Sequence, residues 1–184
     1  MNLVLLIIIV FAQVDCNNKN DKQKETKDKR MSISSENYQK LIKSFKKEST
    51  DFNQVLDYPV YFAGAFIDST GMLIINITGD SITVKRDIIE RIGNQHFLLQ
   101  EKKYSSRELI QIMDTINKFM LDSTNQKIIL NNIGIHTVVL SDQRNKIIVR
   151  LAKLNAESIK AFKDIIYCSP AIEFEQSPGL ASLD

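Results

Sequence analysis

Residues 61–78 read YFAGAFIDSTGMLIINIT. Two apolar segments flank Asp68-Ser69-Thr70-Gly71, a short polar stop ending in glycine. Gly71 can take the positive φ that a tight turn demands, so the stretch predicts a β-hairpin. Its arms are rich in Phe, Ile and Leu, and the second, Met72 to Thr78, also carries the polar Asn76 and Thr78.

Toward the C-terminus the pattern changes period. Val84, Ile88 and Ile92 form the stripe of a helix from about Ser81, with Gly93 as its stop. Phe97 to Tyr104 reads as a third strand with Phe97 and Leu99 on one face, which completes a ββαβ unit. Ser105 and Glu108 are spaced as a capping box, with Tyr104 and Leu109 as the hydrophobic staple. The long helix they open places Leu109, Ile112, Met113, Ile116 and Met120 on one side.

After this helix the first pattern returns. Thr137 to Ala152 is a second hairpin, with Asn145 where the first turn has Gly71; asparagine follows glycine in tolerating the left-handed region. A helix opened by Asn155 or its neighbour runs through Ile159, Phe162 and Ile166, and Ala171 to Gln176 is a last strand. A shift of 74 positions carries Asp68 to Asp142, Gly71 to Asn145, Leu73 to Ile147, Ile75 to Val149 and Ile92 to Ile166. One inserted residue near Pro170 then aligns Phe97 with Ile172 and Leu99 with Phe174. The expected fold is therefore α+β: two ββαβ subdomains joined by a long helix, with helices on one face of each sheet.

Toward the N-terminus, Tyr38, Leu41, Ile42 and Phe45 fall at helical spacing after Ser34 or Ser35 as a cap, with lysines 40, 43, 46 and 47 opposite. This predicts an amphipathic first helix whose stripe docks on its own domain. The preceding tract, Asn17 to Arg30, has no apolar residue and is expected to be a disordered tether. Leu3 to Ala12 is apolar but too short to span a bilayer, which fits a signal-peptide core; a truncated gene start or a buried helix are the other readings. Cleavage before Gln13 competes with lipidation of Cys16, although Gln13 and Asp15 depart from the small residues of a lipobox. The expected organisation is an export signal (1–16), a tether (17–31), first helix, first repeat and connecting helix (32–131), second repeat (132–177) and a flexible tail (178–184).

Composition narrows the function. A net charge of +2 argues neither for nucleic acid nor for an acidic substrate, and 43% hydrophobic content is that of an ordinary globular chain. Two cysteines give no disulfide framework and no metal knuckle. His96 and His136 are the only imidazoles, and with no metal-spaced partner near either, both are expected to be surface histidines. Gly79-Asp80-Ser81 mimics part of a serine-nucleophile signature, but Ile82 follows where glycine would stand, and Asp80 and Ser81 read better as helix caps. Spacing gives no support to a dyad of Cys168 with a histidine. Asn76-Ile77-Thr78 is a glycosylation sequon inside a strand. These readings predict a chain that is not an enzyme and binds no cofactor or metal.

FAGAFID, a turn, LIINITG, a helix and strand, then YSSRELIQIMD resemble the proregion of α-lytic protease and the streptogrisins. VVLSDQRNKIIVRLAK is similar to the second hairpin of that family, and the likeness spans about residues 61–176. The resemblance implies a folding chaperone and inhibitor of a chymotrypsin-like serine protease, in cis or in trans. It implies that the C-terminal sheet extends a sheet of the protease and that the tail lies in its cleft. Carried over, the partner-binding residues are Ile172, Glu173, Phe174, Glu175, Gln176, Ser177, Pro178, Gly179 and Leu180. In the family a protease domain starts about where residues 177–184 stand, so a free-standing relative and a precursor piece are both open. The expected protein is exported, monomeric, and touches a membrane only through a lipid on Cys16. The alternative is an envelope-associated binding module with no protease partner.

Overall fold

The computed structural model describes residues 17–46 and 57–179. In order they form α1 (Asn17–Ser44), β1 (Phe62–Ile67), β2 (Leu73–Ile77), α2 (Ser81–Ile92), β3 (Leu98–Glu101) and α3 (Ser106–Leu121). A 3₁₀ turn (Ser123–Asn125) and a π-helical segment (Ile128–Ile133) lead to β4 (Ile135–Ser141), β5 (Lys146–Leu151), α4 (Ala156–Ile165) and β6 (Ile172–Gln176). Two three-stranded sheets result, ordered β1-β2-β3 and β4-β5-β6. In each, the hairpin is antiparallel and the strand after the helix joins in parallel. The fold is α+β with two similar subdomains.

The strand register supports the repeat residue by residue. Ile75 lies opposite Leu99 in the first sheet, and Val149 opposite Phe174 in the second. Leu73, Ile75 and Ile77 are wholly buried, as are their counterparts Ile147, Val149 and Leu151. Full burial of each such side chain is worth roughly 1.5–3 kcal/mol, so these central strands anchor two separate cores. In the first core α1 supplies Leu41 and Phe45, and α2 supplies Val84, Ile88 and Ile92. The second takes Leu109 and Ile116 from α3 and Phe162 from α4.

Local signals place the elements. Asp80 caps α2 by accepting from the amides of Ile82 and Thr83, and Gly93 closes it at φ 80°. Ser105 and Glu108 form the reciprocal capping box of α3. Gly71 takes φ 83° while Asp68 accepts from the amides of Thr70 and Met72, and Asn145 takes φ 53° in the second turn.

Several expectations are corrected. The tract 17–31 is not a disordered tether but the opening half of α1. Lysine, glutamate, glutamine and arginine are strong helix formers, and the helix is held at its middle by the first hairpin. A Cβ on Gly71 would stand 3.2 Å from the Lys27 carbonyl oxygen and the Met31 nitrogen. Arg30 reaches the Thr70 carbonyl at 3.5 Å, and the buried Ser34 hydroxyl accepts from the Leu73 amide at 3.1 Å. Ser34 and Ser35 therefore lie inside the helix rather than capping it. The strand expected over 97–104 is shorter, because its partner β2 ends at Ile77, opposite Glu101, and the chain bends at Lys103 and Tyr104 before the Ser105 cap. The connecting helix, grouped with the first repeat by sequence, puts its apolar stripe into the second core.

What joins the subdomains is the turn of the second hairpin, seated against β1. The buried Asn145 amide donates to the carbonyls of Ala63 (3.2 Å) and Tyr104 (2.7 Å), and its oxygen accepts from the Tyr104 amide (2.9 Å). Asn76 donates to the Asp142 carbonyl at 2.6 Å, and the Asp142 carboxylate accepts from the Ala65 amide at 3.3 Å. A Cβ on Gly64, which sits at φ 111°, would stand 2.5 Å from the Asp142 Oδ1, so glycine is required there. Arg107 adds contacts from α3 to the Tyr58 carbonyl and the Asp57 carboxylate.

Asp142 also lines a small cavity with Tyr38, Ile42, Tyr58, Phe62, Ser106, Ile110 and Leu140. Among the described residues no cation pairs with it. Burial pushes its carboxyl above the ordinary range, the Ala65 amide only partly offsetting this. Burial first, and the Asp142 charge second, push the Tyr38 and Tyr58 hydroxyls up.

Two outcomes are expected. Asn145→Ala should lower stability by about 2–4 kcal/mol in urea unfolding, since it orphans buried backbone groups. Asn145→Gly should lose about 1 kcal/mol less, because it relieves the left-handed strain. For Asp142, the native carboxyl sits above its unfolded value, so its contribution is fullest below about pH 4 and is lost as pH rises through the native value. Asp142→Asn should therefore gain stability relative to the parent between pH 4 and pH 7. A difference that stays constant across that range would contradict the assignment.

Candidate docking edge

The last strand, β6, pairs with β5 along one side only. The ladder ends with the Ile147 amide on the Ala171 carbonyl (2.9 Å) and the Ser177 amide on the Leu151 carbonyl (2.8 Å). Odd-numbered residues of β6 thus face β5, and strand alternation turns the backbone groups of Phe174 and Gln176 to the open edge.

The side chains divide by face. Ile172 and Phe174 belong to the second core, where the Phe174 ring meets Phe162 edge-on at 5.2 Å. Glu173 and Glu175 lie on the opposite face, where Arg144 reaches both and Arg150 reaches Glu175 at 3.2 Å. Hydrogen bonds from Arg144, then from Arg150, hold the Glu175 carboxyl below the usual range. Beneath this charged layer Ile148, opposite Glu173, is only 2% exposed. The strand is thus prevented from indiscriminate pairing by its charges while its main chain stays open. Of the residues anticipated from sequence, Ile172 to Gly179 lie together on this strand and the chain just after it, with Phe174 partly buried against the second core.

Beyond β6 the chain is tied down. Gln176 Nε2 donates to the Ala152 carbonyl (2.7 Å), and its Oε1 accepts from the Leu154 amide (2.8 Å). Ser177 Oγ lies 2.8 Å from His136 Nδ1 and accepts from the Gly179 amide at 3.2 Å. Leu180 and Cys16 lie outside the described residues.

The first sheet presents a different edge. Leu98 on β3 is 55% exposed and Ile82 on α2 is 82% exposed, and both border a groove beside Lys85 and Glu101. Periodicity gave no sign of this, because neither residue belongs to a buried stripe.

The residues weighed for catalysis do not assemble. Asp80 caps α2, Cys168 is exposed, and it shares no hydrogen bond with His96 or His136. His136, expected on the surface, is half-buried against Ser177. Asn76 of the sequon is wholly buried and hydrogen-bonded, so no glycan fits there. Among the described residues no helix is long and apolar enough to cross a membrane.

Two paired sheet-and-helix units, one plugging the other and one ending in an open strand edge, make up the described part of the chain. Residues 17–104 match the model of the Pro-like N-terminal domain and residues 107–177 that of the Pro-like C-terminal domain. The chain belongs to this protease-proregion family. The boundary between the two matches falls at the α3 cap, in keeping with α3 packing into the second core. A comparison with curated proteins returned no match. Domains of this kind are those of protease propeptides and are non-catalytic.

Proposed function

We propose that this chain is an exported propeptide-like module that assists the folding of a chymotrypsin-like serine protease and then inhibits it, in cis or in trans. The observation that carries the reading is the open edge of β6, with the backbone groups of Phe174 and Gln176 directed outward beside a chain end that leaves at Ser177. A strand of the partner can add to such an edge through main-chain hydrogen bonds, which place few demands on its sequence. The same edge can speed folding. Pairing of distant strands is slow because the loop between them must first be closed, and a preformed edge holds one strand of the pairing ready. The tail from Ser177 onward would then lie in the cleft of the folded protease as a product-like segment.

Titration of the intact chain into a streptogrisin-type protease, read as residual activity and as refolding yield, tests the proposal. Inhibition with raised refolding yield is the expected result. Binding to an envelope component with no effect on such a protease would favour the alternative of a binding module without a protease partner.

Two further outcomes are expected. Deletion of residues 177–184 should weaken inhibition by about 2–4 kcal/mol, the scale of a few anchored interface side chains. Phe174→Pro should weaken it beyond Phe174→Ala, since both lose the core ring but only proline loses the outward N–H. Equal inhibition by the two would remove the edge from the account. Export is read from the apolar run Leu3–Ala12, so mass spectrometry of the mature protein should find it starting at Gln13 or at a diacylated Cys16. An intact Met1 on a cytoplasmic protein would overturn export.

A further inference from the structure

β4 carries a bulge at its first residues. Ile135 pairs with Leu151 and Thr137 with Arg150, which leaves His136 without a partner on β5. A bulge of this kind re-aims a side chain. The His136 ring reaches past β5 to the residue after β6, and its Nδ1 lies 2.8 Å from Ser177 Oγ.

We propose that His136 and Ser177 form a pin that fixes the direction in which the C-terminal segment leaves β6, with His136 as its positioning residue. The pin rests on the reading of that segment as the part delivered to a protease.

The hydrogen bonding around Ser177 fits this role. Its amide donates to the Leu151 carbonyl at 2.8 Å, so the ladder runs one residue past β6. Its hydroxyl accepts from the Gly179 amide at 3.2 Å, which folds the chain around Pro178. A hydroxyl has one proton to give and two lone pairs. With Gly179 donating to the oxygen, the hydroxyl proton is available to Nδ1 of an imidazole protonated at Nε2. Gln176 holds the preceding residue to Ala152 and Leu154, so the exit is fixed at consecutive positions. Pro178 adds its fixed φ. A segment already ordered in the free chain loses less entropy on binding, which is the gain from preorganisation.

The test uses the full ¹⁵N-labelled chain. His136→Ala should lower the order parameter of the Gly179 amide while leaving amide protection in β5 and β6 intact. His136→Asn, whose Oδ1 can stand where Nδ1 stood, should restore it. Ser177→Ala removes both the His136 contact and the acceptor of the Gly179 amide without touching β4, and should lower the order parameter at least as far as His136→Ala. Gly179 dynamics unchanged in His136→Ala would overturn the pin, whatever any protease does. Against a protease that the intact chain inhibits, His136→Ala should raise the inhibition constant about tenfold and His136→Asn should recover most of it. Equal inhibition by His136→Ala would overturn the role in presentation. If the intact chain inhibits no such protease, the proposed function fails, and the Gly179 measurement alone decides the pin.

Discussion

The molecule depends on one hairpin turn closing the open side of another sheet. β1 is an edge strand, and an edge strand exposes unpaired amides and carbonyls that other chains can pair with. Here the Ala63 carbonyl and the Ala65 amide are taken by the side chains of Asn145 and Asp142. Backbone geometry makes this work twice over. Asn145 sits at φ 53°, which turns its side chain back toward β1, and Gly64 at φ 111° leaves room for the Asp142 carboxylate. Two cores that share no residue are thereby fastened through polar groups, beside a small cavity lined by side chains of both units.

The same repeat is put to different uses at its two ends. Asp68, in the first turn, is half-buried and folds its own loop by accepting from Thr70 and Met72. Asp142, its counterpart, is drawn into the interface, where burial pushes its carboxyl up. The final strands diverge as well. β3 offers the exposed Leu98 beside Ile82, whereas β6 carries Glu173 and Glu175 under Arg144 and Arg150.

Much of this was legible in the sequence, for identifiable reasons. The α2 stop at Gly93, the α3 capping box and the left-handed Asn145 are local devices, and local devices leave local signatures. The 74-residue offset located β2 and β5 because buried alternation is the strongest pattern in either hairpin. What escaped were features set by distant partners. The charged opening of α1 has no apolar stripe to announce it, and its hold comes from a turn some forty residues on. Asn145 was placed in its turn by conformation alone, since its bonds to Ala63 span 82 positions. His136 looked like a surface residue because a bulge, and not the alternation of β4, decides where it points.

That long span also sets an order of events for the chain. During synthesis every residue of the first sheet emerges before Asn145 does, so for that interval β1 has its hairpin mate but no cover. The first unit is then a completed core with a raw side, able to pair with a nascent neighbour on another ribosome. Arrival of the second turn ends that exposure and makes the two units one cooperative object. The second turn thus shields the edge of its own N-terminal half as well as joining the two units.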